Sequence, residues 1–140
     1  MEFSRRETIA LGLGAVALGL LPYRAQAAAD ADAVIAEFTG GADISDGGVT
    51  LTAPEIAENG NTVPIAVAAP GATAIFLVAT GNPVPPVATF NFGPLAATQA
   101  ASTRIRLAGT QDVVAIARMA DGSFARAVST VKVTIGGCGG

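Results

Sequence analysis

The residue of this sequence best suited to covalent chemistry is a cysteine close to the C-terminus. The chain of 140 residues contains one cysteine, Cys138, and no histidine. A thiol can hold a transferred group covalently, so Cys138 is a candidate attachment point for cargo. The lack of histidine excludes a Ser-His-Asp triad and a His-ligated zinc or haem. A single cysteine excludes an internal disulfide and a thiolate metal cluster, so we expect no metal site and no cofactor.

The residues around Cys138 are glycines: Gly136, Gly137, Gly139 and Gly140. Glycine has no side chain to pack and has large backbone freedom, so we expect residues 136–140 to form a flexible arm that does not order against a domain. A thin arm of this kind can enter a narrow active site of another protein. Valine at position 137 is accordingly expected to leave folding intact and to slow that entry.

The arm contains no group that would activate its thiol. Residues 136–140 include no lysine, arginine or histidine that could stabilise a thiolate. Activation must then come from the protein that receives the arm, so the pattern favours a covalent carrier and not an enzyme. The alternative is a non-catalytic interaction domain whose cysteine cross-links two chains through an intermolecular disulfide.

The N-terminus has the pattern of an export signal. Arg5 and Arg6 precede an apolar run over residues 9–21, and Ala25 and Ala27 form a small-x-small site after it. This pattern predicts a signal peptide over residues 1–27 that is cleaved after Ala27. The run is shorter than the roughly 20 residues of a membrane span, so no anchor is expected in the mature form. Paired arginines favour the twin-arginine (Tat) route to the periplasm, with the Sec route as the alternative.

Residues 28–135 have the pattern of an all-β domain. Short runs rich in β-branched and aromatic residues are separated by Gly, Pro and Asn about every ten residues. The predicted strands are 49–53, 63–68, 74–80, 87–92, 102–108, 113–119 and 124–135. A short helix over 30–38 precedes them, with Asp30 or Asp32 as its N-cap and Gly40-Gly41 as its end. Seven strands at this spacing predict an immunoglobulin-like antiparallel β-sandwich, followed by the arm at 136–140.

Two of the predicted strands are apolar on both faces. Residues 74–78 and 113–116 contain no alternating polar positions, and such strands need a cover on each side. We therefore expect a partner protein to cover one face of a sheet, with burial of these strands at the centre of the domain as the alternative explanation. Arg104 and Arg106, by contrast, alternate with Ile105 and are interpreted as a solvated sheet face. The net charge of −3 argues against a nucleic-acid partner.

Several segments of the sequence are similar to one known family. They are the C-terminus 131–140, residues 56–60 with 63–64, residues 82–83 with 87–90, residues 103–108 with 110–111, and residues 121–123. With the twin-arginine leader, they make the chain resemble the SoxY family, the sulfur carriers of the thiosulfate-oxidising Sox system. The resemblance implies that Cys138 carries the sulfur cargo and that the four neighbouring glycines form a swinging arm.

The resemblance also implies a set of partners. SoxY proteins pair with SoxZ, a small β-sandwich exported with them as the SoxYZ complex. The haem protein SoxXA joins thiosulfate to the carrier cysteine as an S-thiosulfonate, SoxB releases sulfate by hydrolysis, and SoxCD oxidises the remaining sulfane. The carrier itself would catalyse no step.

Overall fold

The computed structural model describes residues 23–137, which form one helix followed by nine strands. Helix α1 spans Tyr23–Thr39 and ends where Gly40 and Gly41 adopt positive φ angles of 65° and 78°. A residue with a side chain rarely adopts this conformation, so two successive glycines end the helix. Helix α1 is not long and apolar enough to cross a membrane. The strands are β1 Ile44–Asp46, β2 Thr50–Thr52, β3 Ile56–Asn59, β4 Val63–Ala68, β5 Ala72–Ala79, β6 Pro86–Asn91, β7 Ala100–Ile105, β8 Gln111–Met119 and β9 Phe124–Ile135.

The strands form two sheets. The larger sheet has the order β1-β9-β8-β5-β6, with β3 pairing with β9 off this path, and the smaller sheet has the order β2-β4-β7. The pairs β5–β6, β5–β8, β8–β9, β2–β4 and β4–β7 are antiparallel. An immunoglobulin-like β-sandwich was expected from the sequence, and this prediction is confirmed.

Two short strands were not predicted, and both depart from the antiparallel pattern. Strand β1 pairs in parallel with the beginning of β9, and β3 pairs in parallel with its end, where Asn59 lies opposite Ile135. Strand β9 has 12 residues, of which β8 pairs with residues 124–131. Strand β1 pairs with residues 124–126 of β9, and β3 pairs within residues 132–135. The expectation of about seven strands, all antiparallel, is corrected to nine strands with two parallel pairings.

The main core lies between the two sheets. Its most completely buried large side chains include Ile75, Leu77, Val63, Val113 and Val131. The hairpin that joins β8 to β9 is closed by Asp121, whose carboxylate accepts hydrogen bonds from the Ser123 hydroxyl and the Ser123 N–H. These two bonds favour the ionised form and lower the pKa of Asp121.

Helix α1 covers the other face of the larger sheet. Its apolar side chains at Ala31, Val34, Ile35 and Phe38 follow the i, i+3, i+4, i+7 spacing of one helix face. They pack on the sheet residues Phe76, Val78, Val114, Ile116 and Phe124. The second cover that β5 and β8 require is therefore supplied by the chain itself, and the partner protein expected from this feature is not needed to explain it.

The helix also begins earlier than predicted. It starts at Tyr23 and not near residue 30, so Asp30 and Asp32 lie within it and neither is its N-cap. The alanine-rich residues before Asp30 are good helix formers and extend it toward the N-terminus. The helix runs through Ala25 and Ala27, and cleavage after Ala27 stays a prediction.

Candidate functional site

The described part of the candidate site is the segment from which Cys138 leaves the domain. Cys138, Gly139 and Gly140 lie outside the described residues, as do Arg5 and Arg6 of the predicted signal. Gly136 and Gly137 are described and follow directly on β9. We refer to these two glycines, with the backbone of Gly60 and of residues 107–108 that they contact, as the arm base.

Three backbone hydrogen bonds connect the arm base. The Gly60 N–H donates to the Ile135 carbonyl (2.7 Å), and the Leu107 N–H donates to the Gly60 carbonyl (2.8 Å). The Gly137 N–H in turn donates to the Leu107 carbonyl (2.8 Å). Gly60 and Gly137 are buried, and the Leu107 side chain is completely buried in the core. The chain is thus fixed to the domain up to the residue before Cys138.

The glycines of the arm base are required because backbones approach each other closely. A Cβ atom on Gly136 would overlap the Ala108 carbonyl oxygen. On Gly137 it would lie 2.9 Å from the Gly60 oxygen and 3.1 Å from the Leu107 oxygen. On Gly60 it would overlap the Leu107 oxygen and lie 2.8 Å from the Gly137 nitrogen. Contacts this short are not tolerated between a Cβ and backbone atoms, so each position excludes a side chain.

These contacts differ from what the sequence led us to expect of residues 136–140. The expectation was that the whole glycine-rich segment does not order against the domain. Instead, the backbone of Gly136 lies close to the Ala108 carbonyl, and Gly137 is buried and hydrogen-bonded. The prediction was wrong for these two residues because it treated glycine only as a residue without packing. Here the missing side chain allows the backbone of Gly136 and Gly137 to approach neighbouring carbonyl groups. The swinging arm stays a prediction for Cys138, Gly139 and Gly140.

Two buried amide side chains lie behind the arm base. Asn82 is 2% exposed and Gln111 is 8% exposed. The Gln111 Nε2 donates to Asn82 Oδ1 (2.8 Å) and to the Gly109 carbonyl (3.1 Å). No buried side-chain polar atom among the described residues lacks a hydrogen-bond partner. We refer to Asn82 and Gln111 as the amide pair.

Sequence reasoning missed the amide pair. Asn82 stood in an Asn-Pro turn and Gln111 in the turn before β8, where polar residues are ordinary. Asparagine and glutamine in turns are usually exposed, so their types and positions carried no sign of burial. Gly60 lies in the turn that follows β3, in which the Asn61 N–H donates to Asn59 Oδ1 (3.0 Å).

The charged residues near the arm base form no cluster. Arg104 and Arg106 are exposed, while Ile105 and Leu107 between and beyond them are buried, which confirms the alternation expected there. The ion pair found in residues 23–137 joins Arg126 to Asp46 (2.7 Å) on β9 and β1. No group of three or more His, Cys, Asp or Glu residues within the same range could hold a metal ion. Among the described residues, the surroundings of the arm base therefore contain neither a charge cluster nor a candidate metal site.

Comparisons with known proteins agree on one family. The family model described as "Sulfur oxidation protein SoxY" matches residues 35–138. The structure of the sulfur carrier protein SoxY from Chlorobium limicola f thiosulfatophilum is 38% identical, with a TM-score of 0.69. The match covers 79% of this chain and 97% of that one. A search of curated protein sequences found no match.

More distant structures share the fold alone. A superoxide reductase (neelaredoxin) from Ignicoccus hospitalis is 20% identical with a TM-score of 0.54, over 62% of this chain and 80% of that one. A putative superoxide reductase from Thermotoga maritima is 16% identical with a TM-score of 0.50, over 69% and 89% of the two chains. At this level of identity the shared β-sandwich carries no statement about activity.

Proposed function

Because the chain belongs to the SoxY family of sulfur oxidation proteins, we propose that it carries sulfur intermediates covalently on Cys138 and presents them to separate enzymes. The observation that carries the proposal is the position of Cys138 directly after a fixed point of the domain. Gly137 is buried and hydrogen-bonded to Leu107, and the thiol belongs to the next residue. A carrier needs such a placement, since its cargo must be accessible and at a defined place.

The proposed loading step is an oxidation of the thiol together with thiosulfate. The Cys138 sulfur forms a bond to the outer sulfur of thiosulfate, the thiol proton is released, and two electrons pass to the haem protein SoxXA. The product is the S-thiosulfonate Cys–S–S–SO₃⁻. No group on residues 136–140 activates the thiol, so the enzyme that receives the arm supplies the activation.

Later steps leave the sulfur on the carrier. Hydrolysis by SoxB adds one water, breaks the bond between the sulfane sulfur and the sulfone, and releases sulfate with two protons. The persulfide Cys–S–S⁻ remains, and SoxCD oxidises its outer sulfur where that enzyme exists. In this scheme the chain is not an enzyme and needs no cofactor of its own.

We further propose that the partner is SoxZ, in a heterodimer. The outer face of the larger sheet is covered by α1, but no described helix covers the smaller sheet. That sheet carries an open, mainly apolar cleft of about 560 Å³. Its lining is Thr52, Ala53, Pro54, Pro64, Ile65, Ala66, Ser102, Thr103 and Arg104. An uncovered apolar surface of this kind supports a protein contact. The proposed location of the complex is the periplasm, because residues 1–27 have the pattern of an export signal.

The proposal is tested by the mass of the mature protein after incubation with thiosulfate and the enzymes of the Sox system. We expect the mass to increase by that of a thiosulfonate or a sulfane group, and the increase to disappear on reduction. Cys138→Ser should abolish both the adduct and thiosulfate oxidation. Ser123→Ala is the control. Ser123 lies in the β8–β9 hairpin, at the opposite end of β9 from the C-terminal segment, so this variant should keep the adduct.

The alternative function predicts a different result. If Cys138 only cross-links chains, a disulfide-linked dimer will form without any adduct on the monomer, and Cys138→Ser will leave thiosulfate oxidation unchanged. That outcome would refute the carrier proposal.

A further inference from the structure

The segment that anchors the arm base is held from two sides. Residues 106–109 follow β7 and extend past its last paired residue, Ile105. In an extended backbone the polar groups of successive residues point to opposite sides. Leu107 uses its N–H and carbonyl on one side, for Gly60 and Gly137. The backbone groups of its neighbours Arg106 and Ala108 point to the other side, where none of the nine described strands pairs with them.

The amide pair occupies that other side. Asn82 Nδ2 donates to the Arg106 carbonyl (2.8 Å), and Asn82 Oδ1 accepts from the Ala108 N–H (2.9 Å). Gln111 Nε2 donates to the Gly109 carbonyl (3.1 Å). The Asn82 side chain thus offers one donor and one acceptor to residues 106 and 108, as the backbone of a neighbouring strand would. It replaces a strand partner at the point where the ladder stops.

The amide pair is itself fixed on its far side. Gln111 Oε1 accepts from the Gly81 N–H (2.8 Å), and a Cβ on Gly81 would lie only 2.9 Å from the Gln111 Cβ. Both amides are nearly inaccessible to water, and together they make five hydrogen bonds. An apolar residue of similar size could fill the space but could not hold the backbone of residues 106–109 in position.

We propose that Asn82 and Gln111 are positioning residues for the carrier arm. They act through residues 106–109 and fix the Leu107 carbonyl that binds the Gly137 N–H, and so determine where Cys138 leaves the domain. As a statement about sulfur transfer, this inference rests on the proposed function. As a statement about the arm base, it stands on the hydrogen bonds alone.

The test measures hydrogen exchange of individual backbone amides in the full mature chain, with nuclear magnetic resonance as the method of detection. In Asn82→Leu, we expect the Gly137 amide to exchange at least tenfold faster than in the parent protein. The amide of Ile75, in the middle of β5, should change by much less. Thiosulfate loading of Cys138 by the Sox enzymes should slow as well. A residue that only stabilised the domain would accelerate both amides equally.

The matched control is Gln99→Leu. Gln99 is also a side-chain amide that holds a loop, since its Oε1 accepts from the Gly71 N–H (3.3 Å). It lies next to Ala100, at the opposite end of β7 from Ile105 and the arm base. Its substitution should leave exchange at Gly137 unchanged.

If Asn82→Leu does not fold, the same amide exchange is measured in Gln111→Met instead. Methionine keeps the shape of the side chain but loses the bonds to Asn82, Gly81 and Gly109. Equal acceleration at Gly137 and Ile75, or none at Gly137, in the folded variant would overturn the proposal, as would acceleration at Gly137 in Gln99→Leu. Failure of the parent protein to accept thiosulfate would instead count against the proposed function and would leave the exchange result intact.

Discussion

At the scale of single residues, the glycines of the C-terminal segment do not share one role. Gly136 and Gly137 lie against the carbonyl groups of Ala108, Gly60 and Leu107, where a side chain has no space. For Gly139 and Gly140 the sequence predicts conformational freedom, and they follow the cysteine. One run of glycines therefore combines a packed part before Cys138 with a part predicted to move.

Gly136→Ala tests the packed part. We expect it to lower the free energy of unfolding by about 1 to 3 kcal/mol, because the new Cβ overlaps the Ala108 carbonyl oxygen and the backbone must shift. Gly93→Ala is the control, since a Cβ there meets nothing within 4 Å. The measurement is urea unfolding of both variants, and equal stability of the two would contradict the close contact.

The close backbone contacts at Gly137 also change how the loading rate of a variant with a larger residue at this position must be interpreted. Valine there was expected to leave the domain intact, but its Cβ would lie 2.9 Å from the Gly60 oxygen. A slower loading rate in Gly137→Val would therefore mix a disturbed arm base with a poorer fit into the receiving enzyme. Substitutions at Gly139 separate the two effects.

The sequence predicts covalent chemistry at Cys138, but it gives no sign of the hydrogen bonds that anchor the chain just before this residue. A lone cysteine between glycines is visible in the sequence. The bonds that join Gly60, Leu107 and Gly137 connect three distant points of the chain, and each residue alone looks like part of an ordinary turn or strand. Only the fold brings them together.

At the scale of elements, the main correction concerns how the larger sheet is covered. The prediction that the strands apolar on both faces are covered on each side is correct. The second face is covered by α1 and not by a partner protein. The Phe38 ring lies 4.9 Å from that of Phe76 and 5.9 Å from that of Phe124. Arg118 stacks on Phe38, with its guanidinium carbon 4.6 Å from the ring centre, and donates to the Phe38 carbonyl (3.1 Å). The end of the helix is thereby fixed to β8.

Phe38→Ala should weaken this attachment. Because Phe38 is half-buried, we expect a loss of about 2 kcal/mol in the free energy of unfolding, below the range for a fully buried phenylalanine. Leu95→Ala is the control, because Leu95 is 97% exposed and should change stability little. Thermal unfolding followed by circular dichroism compares the two. A loss in Leu95→Ala as large as in Phe38→Ala would show that the helix contact does not carry the effect.

All seven predicted strands are present, and the two that were missed have a common reason. Strands β1 and β3 have three and four residues and no sustained alternation of polar and apolar side chains. Their formation depends on the free edge of β9, which lies far along the chain. The sequence of each short segment alone could not predict a strand, because the segment becomes a strand only by pairing with β9.

At the scale of the whole molecule, the sequence suggests that export and folding are linked. The Tat route carries proteins that are already folded, and we propose it for this chain because of Arg5 and Arg6. Changing both to lysine keeps the positive charge but removes the paired arginines. We expect the precursor to accumulate inside the cell, as measured by fractionation and immunoblotting.

Arg24→Lys is the matched control for export. It makes the same change outside the twin-arginine pair and should leave the periplasmic amount unchanged. Undiminished export of the double lysine variant would identify the Sec route instead.

If Cys138 carries sulfur as proposed, the bond between the Gly137 N–H and the Leu107 carbonyl also restricts the shape of any enzyme that acts on that sulfur. Consecutive Cα atoms are about 3.8 Å apart, so the Cα of Cys138 stays within that distance of a buried point of the domain. A catalytic centre near the surface of the enzyme can reach the sulfur while the bond persists. A deep catalytic centre requires the bond to break, at a cost of about 1 kcal/mol that docking must offset. Under the proposed function, the depth of the enzyme's active site thus decides whether the hydrogen bond between Gly137 and Leu107 must break before Cys138 can reach it.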